Sequence, residues 1–112
     1  MGVGVAHPRR GEVFLVTLDP TQGREIRKAR PCLVVSPDEL NEHLDTFVVA
    51  PMTTGGHAYP FRIPCRFQRR DGYVVLDQLR TVGRRRLARR LGRVSKPTLS
   101  RALGILREMF AE

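Results

Sequence analysis

Cysteine is scarce in this chain. Cys32 and Cys65 are the only two, each lies within or beside an apolar segment, and no close metal-ligand spacing links them. Buried free thiols therefore fit better than zinc or a catalytic thiol pair, and an intracellular, cytoplasmic setting follows. No apolar run approaches the length of a membrane span, so no membrane partner is expected. Residues 1–6 are too short for a secretory signal, and Ala6 stands where a myristoylation signal requires Ser or Thr. Internal repeats and low-complexity segments are missing. So are the clustered carboxylates and histidines that hold a divalent ion, and neither metal nor cofactor is expected.

Lysine is nearly absent as well, because 18 of the 20 cations are arginine, set against 11 acidic residues for a net charge of +9. Arginine binds phosphate through a bidentate fork and stacks on bases, so a nucleic acid or another polyanion is the favoured partner. Codon bias would explain the arginine-to-lysine ratio but not the net charge. A length of 112 residues implies one domain spanning 1–112, with 1–8 as a flexible leader. A chain this short gains considerably from dimerisation.

Residues 23–36 are the most informative. A charged loop ends in Arg30-Pro31 and runs into the apolar Cys32-Leu33-Val34-Val35-Ser36. Proline restricts the residue before it to extended conformations, so Arg30 is a cation held at the mouth of a strand, which suits a phosphate.

The rest of the chain reads as short strands and one helix. Strands are expected at Glu12–Leu18, Cys32–Ser36 (central, since it is apolar throughout) and Thr46–Met52, with a helical turn between the last two at 37–44. Further strands are expected at Tyr59–Pro64, Gly72–Asp77 and Gln78–Val82, with a turn at Arg69–Gly72. Arg84–Arg93 holds six arginines in ten residues and reads as one helical turn feeding a strand at Leu91–Val94. Ser95 then caps an amphipathic helix carrying Leu99, Leu103, Leu106 and Phe110 at helical spacing. The fold class is a small antiparallel sheet or barrel with a C-terminal helix.

Several stretches together, Gly11-Glu-Val-Phe-Leu-Val-x-Leu-Asp-Pro-Thr-x-Gly-x-Glu25, Arg30-Pro-x-Leu-Val-Val-Ser36, Ala50-Pro-Met-Thr-Thr54, Tyr59-Pro-Phe61, Asp71-Gly72 and Asp77-Gln78, closely resemble the MazF/PemK toxins of bacterial toxin–antitoxin pairs. That resemblance implies an SH3-like β-barrel of PemK/CcdB type and a homodimer. It further implies a sequence-specific, ribosome-independent endoribonuclease that cuts single-stranded RNA, usually messenger RNA, and an antitoxin of MazE type whose acidic tail lies across the active groove.

RNA carries its own nucleophile, the 2′-hydroxyl, so a protein can cleave it by orienting that group and stabilising the phosphorane charge, without a metal. Arg30 fits the charge-stabilising role, the alternative being a surface ion pair with Glu25 or Asp77. Thr53, in the Gly-rich break after the third strand, can donate to the scissile phosphate, the alternative being an ordinary turn threonine bonded to its own backbone. Glu25 matches an acidic position near the family's site, where it would orient the arginine or accept a proton. Arg24, Lys28, Ser36, Thr54, His57, Asp77 and Gln78 are candidate RNA contacts. In part of the family a catalytic arginine stands two residues before the aspartate; here that position is Val75, and Arg24 replaces that branch's histidine. A CcdB-like toxin that inhibits a protein such as DNA gyrase is the competing reading, and it requires no dependence on Arg30.

Overall fold

The computed structural model describes residues 7–18 and 29–112. Its elements are β1 (Glu12–Thr17), β2 (Ala29–Val34), α1 (Asp38–His43), β3 (Thr46–Thr54), β4 (Arg62–Phe67), β5 (Arg70–Val75), β6 (Arg80–Gly83), β7 (Leu87–Arg93) and α2 (Lys96–Phe110). Single 3-10 turns at Leu76–Gln78 and Arg84–Arg86 flank β6.

The strands pair in the order β4-β5-β3-β2-β1-β7, with β6 attached to β3. Every pairing is antiparallel. β3 is the hub. Its first residues pair with β6, its middle with β2, and its last three, Met52, Thr53 and Thr54, with Val74, Tyr73 and Gly72 of β5.

β2 lies between β1 and β3, and Cys32, Leu33 and Val34 are all fully buried. Consecutive burial requires cover on both faces of the sheet, which accounts for the unbroken apolar run. One face packs Leu33, Ala50, Met52 and Val13 against Leu99, Ala102 and Leu106 of α2. The other holds a smaller cluster of Val16, Cys32, Val34, Val49 and Val82. Among the described residues the sheet does not close by strand pairing, but its rims touch: Gln68 Nε2 donates to the Leu91 carbonyl at 3.1 Å. α2 begins where expected, the Ser95 side chain accepting a hydrogen bond from the Thr98 amide.

Several boundaries differ from expectation: β4 is Arg62–Phe67 rather than Tyr59–Pro64, β6 is Arg80–Gly83 rather than Gln78–Val82, and β7 is Leu87–Arg93 rather than Leu91–Val94, each running as far as its partner's ladder. β2 starts at Ala29, so Arg30-Pro31 lies inside the strand; Pro31 is tolerated because β3 joins only at Cys32, leaving that side of β2 without a strand partner among the described residues. β3 runs on through Thr53 and Thr54 because β5 continues its ladder. The β4–β5 turn falls at Gln68-Arg69, both with positive φ (52° and 67°), rather than at Arg69–Gly72. Gly72 instead lies in β5, where a Cβ would come within 1.6 Å of the Thr53 carbonyl oxygen.

Ser36, expected to end the second strand and touch RNA, is buried just beyond β2. Its hydroxyl donates to Asn41 Oδ1 at 2.7 Å and accepts from the Val48 amide at 3.1 Å, tying β2 and β3 to α1. It is a positioning residue of the scaffold. Ser36→Ala leaves both partners unsatisfied and should lower stability by about 1–3 kcal/mol in denaturant melts, without changing any activity per folded molecule.

Candidate active site

Arg30 and Thr53 meet on one face of the sheet. Cys32 pairs with Pro51, and running that register on by two residues on each strand sets Arg30 opposite Thr53. Both continue the face that carries the smaller core cluster, at its open end. Arg30 is exposed and Thr53 half-buried, so neither is sealed in the interior.

Two adjoining lobes of a groove share these residues as a common wall. One lobe, about 720 Å³, continues past Thr54, Gln68 and Arg70. The other, about 540 Å³, continues past Arg62, Gln78 and Arg80, over a floor that includes Leu18, Pro51 and Val75. Among the described residues four arginines and no carboxylate line the two lobes. A groove so lined attracts anions and suits a strand with phosphates along it.

Arg30 has no ion-pair partner among the described residues. Asp77, its proposed alternative partner, belongs instead to Arg62, whose Nε and Nη2 donate to the two carboxylate oxygens at 2.9 and 3.0 Å. That pair of hydrogen bonds holds the Asp77 carboxyl below the usual carboxylate range, so it is ionised at neutral pH. Beneath Arg30, Cys32 donates its thiol hydrogen to the Arg30 carbonyl. Burial pushes this thiol up to about 12 against the opposing pull of Arg80 and Arg30, so it stays neutral and is no nucleophile. Cys65 is likewise a buried free thiol, as expected.

The Thr53 hydroxyl donates to the Gly55 carbonyl at 3.2 Å. It therefore does what an ordinary turn threonine does while also facing the groove. An exposed hydroxyl exchanges such a bond for one to phosphate at little cost, because the net worth of each is small.

The remaining candidates divide. Thr54 and Gln78 line the lobes, one in each. His57 is exposed, edge-on to Tyr59 at 6.4 Å, and lines neither lobe. His43 and His7 contact the Glu39 carbonyl and Arg84, so no histidine pair is assembled at the groove. Arg24, Glu25 and Lys28 lie outside the described residues.

At least four of the six arginines in the Arg84–Arg93 cluster have work inside the fold, Arg93 donating to the Arg10 carbonyl at 3.3 Å. Arg84 pairs with Asp45 and covers the Phe47 ring, Arg86 donates to the Thr17 and Leu18 carbonyls, and Arg90 pairs with Glu12. Groove residues that sequence reasoning missed are Arg62, Gln68, Arg70 and Arg80. Nothing in their local spacing marks them, since pairing between distant strands is what gathers them around Arg30.

Fold and groove together define a small β-sheet protein with a cationic channel centred on an arginine and a threonine. The chain belongs to the family described as PemK-like, MazF-like toxin of type II toxin-antitoxin system, whose model matches residues 9–110. It is 37% identical over 103 residues to the endoribonuclease PemK of Escherichia coli, covering 87% of this chain and 77% of that protein. With the endoribonuclease toxin MazF of Escherichia coli K12 it shares 34% identity over 93 residues, covering 82% of this chain and 84% of the relative. Among solved structures, a MazE-MazF crystal structure from Deinococcus radiodurans superimposes with a TM-score of 0.82 at 26% identity, over 94% of this chain and 96% of the other. Among the described residues no helix is long and apolar enough to cross a membrane.

Proposed function

We propose that this chain is an endoribonuclease toxin that cuts single-stranded RNA, chiefly messenger RNA, at a short sequence and without the ribosome. The observation that carries the reading is that Arg30 and Thr53 line the same two lobes, so a strand lying along both would cross them at one phosphodiester.

The reaction uses the substrate's own nucleophile. The 2′-hydroxyl gives up its proton, its oxygen bonds to phosphorus, and the bond from phosphorus to the 5′-oxygen breaks as that oxygen takes a proton. A 2′,3′-cyclic phosphate and a 5′-hydroxyl result. The Arg30 fork stabilises the charge gathered on the non-bridging oxygens, and the Thr53 hydroxyl donates to one of them. Glu25 is the proposed proton acceptor. Thr54, Gln78 and Arg70 contact the strand on either side, and Arg24, Lys28 and His57 are further proposed RNA contacts. Nothing in this scheme calls for a metal.

Toxins of this family imply an antitoxin, and the relative from Deinococcus radiodurans is solved with MazE. An acidic, flexible antitoxin tail complements a groove lined by arginines and would exclude RNA by occupying it. The chain acts as a homodimer in the cytoplasm. A CcdB-like inhibitor of a protein target is disfavoured, because the relatives sharing most of its length are named endoribonucleases.

The test is purified protein on single-stranded RNA in EDTA, with end mapping of the products. Cuts at one recurrent short sequence, with 5′-hydroxyl ends, are expected; uncut RNA, or a strict need for added divalent ions, overturns the proposal.

A further inference from the structure

We infer that Arg62 is a second phosphate ligand of the groove, held in register by Asp77, and that it grips a backbone phosphate next to the one cleaved. On the endoribonuclease reading above, it acts beside Arg30 rather than on the reacting atoms.

Arg62 lines the lobe that Arg30 and Thr53 also line. Three contacts fix it. Asp77 takes Nε and Nη2 from the side at 2.9 and 3.0 Å, and the face of the guanidinium lies over the Tyr59 ring at 4.8 Å. The preceding residue, Phe61, adopts a left-handed conformation (φ 65°), rare for a bulky side chain, and delivers the chain into β4 at Arg62.

A guanidinium carries five N–H groups in a rigid plane, and Asp77 uses only two of them. The end-on edge, formed by Nη1 and the second Nη2 hydrogen, has no acceptor among the described residues. A phosphate can therefore take that edge bidentately while the carboxylate keeps the side. The side chain is 23% exposed, enough for a ligand to reach and too little for it to swing freely. Structural ion pairs elsewhere in the fold lack this combination: Arg66–Asp71 is far more exposed, and Arg90 with Glu12 does not line the groove.

Asp77 is thus a positioning residue, not an RNA contact, since a carboxylate would repel the strand. Removing its charge while keeping its shape should loosen Arg62 yet relieve that repulsion. The loosening should outweigh the relief: Asp77→Asn is expected to raise KM severalfold with kcat per folded molecule near the wild-type value, whereas lost stability alone would lower apparent kcat and leave KM unchanged.

The decisive experiment pairs Arg62→Ala with RNA in which one phosphate flanking the cut, on either side in turn, is a neutral methylphosphonate. The adjoining 2′-hydroxyl is methylated in modified and control RNA alike. One linkage should slow the wild-type protein by about tenfold, and Arg62→Ala should be slowed comparably on control RNA and no further on the modified strand. Additive losses at both linkages, or wild-type rates from Arg62→Ala, overturn the inference. If Arg62→Ala does not fold, Arg62→Lys carries the same cycle, because it keeps the stem and charge but loses the fork. Failure of the wild-type protein to cut control RNA would instead sink the endoribonuclease reading itself, so the two failures are distinguishable.

Discussion

Arg30→Ala should cut RNA about 10³-fold more slowly than the wild-type protein, with an unchanged melting temperature. The side chain is exposed and has no ion-pair partner among the described residues, so its removal costs the fold little. On the proposed mechanism its worth lies in the transition state, where the phosphorane gathers negative charge that the guanidinium would meet with two hydrogen bonds. Arg30→Lys restores the charge but not the fork and should recover no more than about a tenth of the lost rate. Single-turnover cleavage at saturating protein, alongside thermal melts, separates chemistry from binding and folding. Undiminished cleavage by Arg30→Ala would leave the groove without its central catalyst, and the assignment would fall.

Gly72→Ala is expected to destabilise the protein by about 3 kcal/mol and to lower cleavage per folded molecule as well. A methyl group there would sit 1.6 Å from the Thr53 carbonyl oxygen and 2.6 Å from its carbon. Those atoms are backbone, so no rotamer change relieves the overlap. Either β5 peels from β3, or β3 shifts and takes the Thr53 hydroxyl out of line with Arg30. Urea unfolding measures the first effect, and cleavage rate corrected for the folded fraction measures the second. Wild-type stability in this variant would mean that the strands do not approach so closely.

Much of the fold is legible in the sequence because the relevant signals are local. A β-branched and aromatic run, Val13-Phe14-Leu15-Val16, marks β1, an unbroken apolar run marks the central β2, and Ser95 with leucines at helical spacing marks α2. Arg30 is singled out as a candidate for a related reason, standing before Pro31, which restricts its backbone, and Thr53 by its place just ahead of Gly55-Gly56. Less legible is anything decided by partners distant in sequence. Gly72 resembles a turn glycine until β5 is laid against β3. Ser36 resembles a polar end of a strand until α1 folds over it and supplies Asn41. The partner of Asp77 goes unseen until β4 brings Arg62 across to take both its oxygens. Arg70 and Arg80 carry no local mark at all.

The hairpin between β4 and β5 places two non-glycine residues, Gln68 and Arg69, in left-handed conformations where an Asn-Gly pair would fold more comfortably. Gln68 nevertheless bridges the rims of the sheet and walls one lobe, tasks for which asparagine is one methylene shorter and glycine has no side chain. Breeding this protein for heat tolerance alone would favour the easier pair at these positions and blunt the poison as it hardened the molecule. Attenuated, long-lived forms are therefore to be sought at this hairpin before the central strands.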